Sequence, residues 1–152
     1  MKLQRVMNAS ARLIYCAPKF CRITPILMEL HWLPVRARIE FKILLITFKV
    51  IKGLAPKYLS DLIAILPSSN YDLRRNSNRI LLARSTLRTK KTMGDCAFEI
   101  AAPILWNSLP FSVRQAGTID NFKRLLKTYL FTKTYNYRCF YHYFWNFYYY
   151  FF

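Results

Sequence analysis

Residues 34–53 read PVRARIEFKILLITFKVIKG, and this stretch decides the fold class. Pro34 suits the first turn of a helix, where its missing N–H costs nothing, and Gly53 suits a left-handed C-cap. Between them lie good helix formers and no breaker. Val35, Ile39, Ile43, Ile46 and Val50 make one apolar stripe, and Phe41, Leu44, Phe48 and Ile51 make a second. A helix apolar on two sides is expected to be buried between neighbours. Arg36, Arg38, Lys42, Lys49 and Lys52 take the remaining positions.

The neighbours follow from the same periodicity. On the N-terminal side, Leu3, Val6, Met7, Ser10, Leu13 and Ile14 recur at helical spacing, with Gln4, Arg5, Asn8 and Arg12 on the other face; the stripe predicts an amphipathic helix. Thr24-Pro25 reads as N-cap and first helical residue of a short helix ending near Leu30. On the C-terminal side, Ala55-Pro56 opens a helix with Tyr58, Leu59, Leu62 and Ile63 inward. Asp95 is placed to cap a helix over Cys96 to Leu105 with Phe98, Ile100, Ala101 and Leu105 inward, and Pro103 predicts a kink or an end near Ala102. Trp106 to Pro110 reads as a turn. Thr118 caps a last helix, whose Ile119, Phe122, Leu125, Leu126, Tyr129 and Leu130 form the apolar stripe. The reading is a mainly α, small helical fragment, with the 34–52 helix central and packed by the 56–63 and 119–129 helices.

Composition narrows the function classes. The chain has 152 residues and carries 24 Lys and Arg against 7 Asp and Glu, a net charge of +17. Such an excess predicts attraction to polyanions or to an anionic membrane surface. Three glycines exclude a glycine-rich phosphate cradle. Cys16, Cys21, Cys96 and Cys139 are too few and too scattered for a disulfide scaffold. Lys2, Arg5 and Arg12 interrupt the N-terminal apolar positions, so no secretory h-region is visible. An intracellular compartment, cytoplasm or nucleus, is expected.

Tyr71 to Gly94 differs from its surroundings. It holds Arg74, Arg75, Arg79, Arg84, Arg88, Lys90 and Lys91, with Asp72 as its one acid. Lys and Arg at this density neutralise phosphates and release counterions, so these seven residues are the candidate nucleic-acid contacts, directed at the backbone and not at sequence. The segment is read as a basic loop in which Ile80-Leu81-Leu82-Ala83 forms a short strand. Trp32 and Trp106 are read as core anchors in preference to stacking platforms, and His31 as a packing residue with one hydrogen bond, since no partner for a general base is evident. Cys16-x4-Cys21 has no second close ligand pair, so no metal site is assigned. Tyr135 to Phe152 contains 13 aromatics in 18 positions and reads as a low-complexity aromatic tail, 135–152, after a helical region, 1–134. A lesser expectation is membrane contact through that tail.

Several of these segments together resemble a known family. Leu3-Gln4-Arg5-Val6 with Asn8, Ala11, Arg12 and Leu13, then Ile23-Thr24-Pro25, then Leu30-His31-Trp32-Leu33-Pro34-Val35-Arg36, are similar to the region downstream of the polymerase core in non-LTR retrotransposon reverse transcriptases. The likeness continues through Arg38 to Leu45, Phe48-Lys49, Gly53 to Leu59, Gly94-Asp95, Ala97-Phe98, Ala101-Ala102-Pro103, Leu105 to Pro110 and Phe122-Lys123, in order over residues 3–131. The resemblance implies a polyprotein with an upstream polymerase domain and with RNA and target DNA as partners. Polymerases of that family need paired aspartates, whereas Asp61, Asp72, Asp95 and Asp120 are isolated here. The expectation is therefore a non-catalytic C-terminal remnant beginning at an internal methionine, with no cofactor, and with an apolar face left bare where the polymerase has been lost.

Overall fold

The computed structural model describes residues 2–66, 80–83 and 97–135. It is mainly helical, with 67% of the described residues in seven helices and no strand among them. In order these are α1 (Lys2–Ile14), α2 (Ile23–Glu29), α3 (Val35–Ile51), α4 (Lys57–Ser60), α5 (Phe98–Asn107), α6 (Phe111–Arg114) and α7 (Ile119–Tyr135). Two compact units divide the chain: Met1–Ile39 together with Lys127–Phe152, and Glu40–Leu126. Residues of both α3 and α7 occur in each.

The first unit is built on α1 and α2. Met7 and Ala11 of α1, Ile26 and Leu27 of α2 and Tyr135 at the end of α7 form its buried centre, with Trp32, Val35 and Phe131 packed against it. Of the apolar stripe of α1, only Met7 is buried. Leu3, Val6, Leu13 and Ile14 are exposed, and the face that packs is the one carrying Gln4, Met7, Asn8 and Ala11. Periodicity locates an apolar arc but cannot say that the arc is covered. The inward polar side chains are used: Gln4 Oε1 accepts the Val35 N–H at 2.9 Å and so caps α3, while Gln4 Nε2 donates to Asn8 Oδ1 at 2.8 Å. The α2 helix starts at Ile23, so Thr24 lies inside it and is not the cap. Pro25 still falls in the first turn, where no N–H is needed.

Three helices end with a residue in the left-handed region: Cys16 (φ 48°), His31 (φ 52°) and Gly53 (φ 68°). Each end makes the same pair of bonds. Cys16 N–H reaches Leu13 O and Ala17 N–H reaches Arg12 O; His31 and Trp32 reach Met28 and Leu27; Gly53 and Leu54 reach Val50 and Lys49. Gly53 is the C-cap the sequence indicates. Cys16 and His31 adopt the same conformation with a Cβ, which costs about 1–2 kcal/mol each. His31 recovers some of this by stacking on Phe131, ring centroids 5.7 Å apart, and its Nδ1 lies 3.1 Å from Glu29 O.

Trp32 is half-buried, with the Arg38 guanidinium 5.9 Å above its ring, and its carbonyl accepts the Tyr135 hydroxyl. Tyr135 is thus a buried residue at the end of α7. Residues 136–152 of the tail lie outside the described residues. Burial pushes the Tyr135 hydroxyl up to about 12, against the opposing pull of Arg38.

In the second unit, Phe48 of α3 stacks on Phe122 of α7 at 4.2 Å and 13°, and Trp106 of α5 tilts against Phe122 at 6.0 Å. Leu44, Phe48, Trp106, Phe122 and Leu126 are almost fully buried. The Phe41–Leu44–Phe48–Ile51 stripe is therefore the inward one. Ile39 and Ile46 of the other stripe are exposed, so α3 is not covered on both sides. Thr47 is buried at their expense, its hydroxyl donating to Ile43 O at 2.9 Å within the helix. The α4 helix is a single turn with Tyr58 and Leu62 exposed; of the four residues expected inward, Ile63 is the buried one and Leu59 is half-buried.

The α5 helix runs through Pro103 to Asn107 and does not stop at Ala102. A proline there removes one backbone bond, at a cost of about 3 kcal/mol, but Ala102, Pro103 and Trp106 are all buried, and that packing offsets it. The expected Asp95 cap lies outside the described residues. Thr118 caps α7 as anticipated, its Oγ1 accepting the Asn121 N–H at 3.3 Å. The α7 stripe of Phe122, Leu126 and Leu130 is buried in the expected register, and the helix extends to Tyr135.

Two outcomes follow. Cys16→Gly relieves the left-handed strain at an exposed site and raises unfolding stability by about 0.5–1 kcal/mol in urea titration; a loss of stability contradicts the assignment. The unfolded chain releases the Tyr135 proton near the ordinary value of 10.0, before the folded chain does at about 12. The folded state therefore keeps this contribution below pH 10 and loses it as pH rises from 10 to about 12. The melting temperature falls across that window, and Tyr135→Phe makes the fall shallower; an unchanged slope in the variant counts against it.

Candidate nucleic-acid interface

The seven predicted contacts, Arg74, Arg75, Arg79, Arg84, Arg88, Lys90 and Lys91, lie outside the described residues. The structure does place the four residues in the middle of that segment. Ile80–Ala83 separates Arg79 from Arg84 in sequence, and it is held from two sides.

On one side, Leu82 forms an isolated antiparallel bridge with Ile65, in which Ala83 N–H reaches Ala64 O at 2.8 Å and Leu66 N–H reaches Leu81 O at 3.0 Å. The expected short strand is thus reduced to a single bridge. On the other side, the bonding comes from side chains of α5. Asn107 Oδ1 accepts the Leu82 N–H at 3.1 Å, Asn107 Nδ2 donates to Leu82 O at 2.9 Å, and Trp106 Nε1 donates to Ile80 O at 3.0 Å. The Asn107 amide thus supplies the donor and acceptor that a neighbouring strand would supply. Leu82 is fully buried, so its backbone groups need those partners. Trp106 is the core anchor expected from the sequence, and its indole N–H adds a third bond to the clamp. Sequence reasoning assigned Asn107 only to a turn. The available signal was a polar amide beside a tryptophan in an otherwise apolar run.

Other cations lie among the described residues. Lys123 pairs with Asp120 at 3.0 Å on an exposed turn, a contact of small energetic weight. Lys52 Nζ lies 5.7 Å from the Phe48 ring centre. Cys16 and Cys21 are free thiols, and no group of three or more His, Cys, Asp or Glu side chains among the described residues is placed to hold a metal ion. No helix among the described residues is long and apolar enough to cross a membrane.

Comparison of the chain with protein-family models, with curated proteins and with solved structures finds no match.

The clamp makes a direct prediction. Asn107→Ala leaves the buried Leu82 N–H and C=O without partners and costs about 2–4 kcal/mol of unfolding stability, measured by denaturant titration. Trp106→Phe loses the bond to Ile80 O and also leaves a cavity where the indole was packed, so its cost reports the core as well as the clamp. An Asn107→Ala cost below about 0.5 kcal/mol contradicts the clamp.

Proposed function

We propose that the chain is a non-catalytic C-terminal portion of a retrotransposon-type reverse transcriptase, and that it contacts RNA or DNA backbone through Arg74, Arg75, Arg79, Arg84, Arg88, Lys90 and Lys91. The observation that carries this reading is the cationic segment itself: seven Lys and Arg against one acid between Tyr71 and Gly94, in a chain of net charge +17. The clamped Ile80–Ala83 supports it, because it fixes the middle of the cationic segment to α5. The order of motifs from Leu3 to Lys123, which resembles that family, supplies the parentage. In the parent polyprotein the partner would be the upstream polymerase domain, and the compartment would be intracellular. The segment has no aromatic residue between Tyr71 and Lys91, so binding rests on phosphate charge and not on base stacking.

A second reading, a helical protein-interaction module without a nucleic-acid role, is favoured by the exposed Leu54, Tyr58 and Leu62 near α4. Filter binding of single-stranded RNA against salt separates the two. Under the first reading affinity falls steeply with salt, and replacing Arg79, Arg84 and Arg88 together by Gln lowers the log–log slope by about 2, at about 0.7 per phosphate contact. Weak binding with little salt dependence, or a slope unchanged by the triple replacement, supports the second.

A further inference from the structure

The outward face of α1 is the largest unexplained feature of the first unit. Leu3, Val6, Leu13 and Ile14 are 71%, 66%, 79% and 57% exposed, and at 100° per residue they fall on one arc of about 100°, interrupted only by Ser10. The adjoining face of the same helix is occupied, with Met7 and Ala11 packed in the buried centre and Gln4 capping α3. The apolar arc is therefore free to be covered without disturbing the fold. The exposed Lys2 borders it, the exposed Arg5 lies further round the same side, and the turn that follows the helix presents Lys19 beside Phe20, which is 94% exposed.

We infer that α1 is an interfacial anchor that lies in the headgroup layer of an anionic phospholipid surface. Charge decides between the occupants. Residues 1–28 contain Lys2, Arg5, Arg12, Lys19 and Arg22 and no acid; the first acid is Glu29. A second copy of the same face would bring Lys2 and Arg5 of one helix toward those of the other, on a helix that carries no acid. A nucleic acid would meet the charge but leave the aliphatic side chains in water, since leucine and valine do not stack on bases. An anionic bilayer satisfies both halves of the face. The apolar arc enters the boundary between headgroups and acyl chains, and the bordering cations meet lipid phosphates and carboxylates. A helix of 13 residues is about 20 Å long, enough to lie along the interface but too short to span it. This surface is separate from the cationic segment proposed above to contact nucleic acid, and it does not depend on that reading.

The test uses the full-length chain in co-sedimentation with vesicles of phosphatidylcholine alone and of phosphatidylcholine mixed with phosphatidylserine. The chain pellets with the mixed vesicles and not with phosphatidylcholine. The combined variant Leu3→Gln, Val6→Gln, Leu13→Gln retains the helical circular dichroism spectrum and partitions at least about tenfold less at physiological salt. To separate loss of insertion from loss of folding, Leu13 is replaced by the photo-cross-linker benzoylphenylalanine in an otherwise unchanged chain, and illumination attaches it to lipid. Three results overturn the inference: no binding to phosphatidylserine vesicles, undiminished binding of the combined variant, or self-association of the native chain that the combined variant abolishes. The second would mean attraction of bulk charge alone, and the third a second copy on the face.

Discussion

The structure around the cationic segment depends on the bonds between α5 and the backbone of Ile80–Ala83. A lone extended stretch has a backbone donor and acceptor at every residue, and burying Leu82 without partners for them would cost more than the side chain returns. In a sheet a second strand would provide them. Here a single bridge to Ile65 satisfies one edge, and the Asn107 amide, with the Trp106 indole, satisfies the other. The same tryptophan lies against Phe122, which stacks on Phe48. The backbone clamp and the aromatic core of the second unit thus share one side chain, so loosening either weakens the other.

Much of the helical architecture was legible in the sequence because it rests on strong local signals. Gly53 ends α3, Thr118 begins α7, and the Phe122–Leu126–Leu130 stripe packs in the register its spacing indicates. The failures share a cause: local periodicity does not say which face has a neighbour. The Leu3–Val6–Leu13 arc of α1 and the Ile39–Ile46 edge of α3 are apolar and exposed, while Gln4, Asn8 and Thr47 turn inward because their polar atoms find partners there. Pro103 failed as a stop signal for a related reason, since burial of its ring with Trp106 outweighs one lost backbone bond. Asn107 could not be read as a clamp from its neighbours, because its partner Leu82 lies 25 residues away.

The two proposed contact regions differ in kind. One is a cationic segment whose described centre is tethered to α5 and whose charge suits a phosphate backbone. The other is a helix with aliphatic residues outward and cations at its border, which suits an interface with both an apolar and an anionic layer. The strained C-caps at Cys16 and His31 belong to the unit that carries the second surface, and they direct the chain away from α1 and α2 where glycine would normally be expected.

The central claim is that nucleic acid is held by the residues on either side of the clamped Ile80–Ala83. Lysine acylation of the full-length chain, followed by mass spectrometry with and without single-stranded RNA, tests it most directly. The expected result is that RNA slows modification of Lys90 and Lys91 while Lys57 and Lys127 react as before. Equal protection of all four lysines, or protection confined to Lys57 and Lys127, would contradict it.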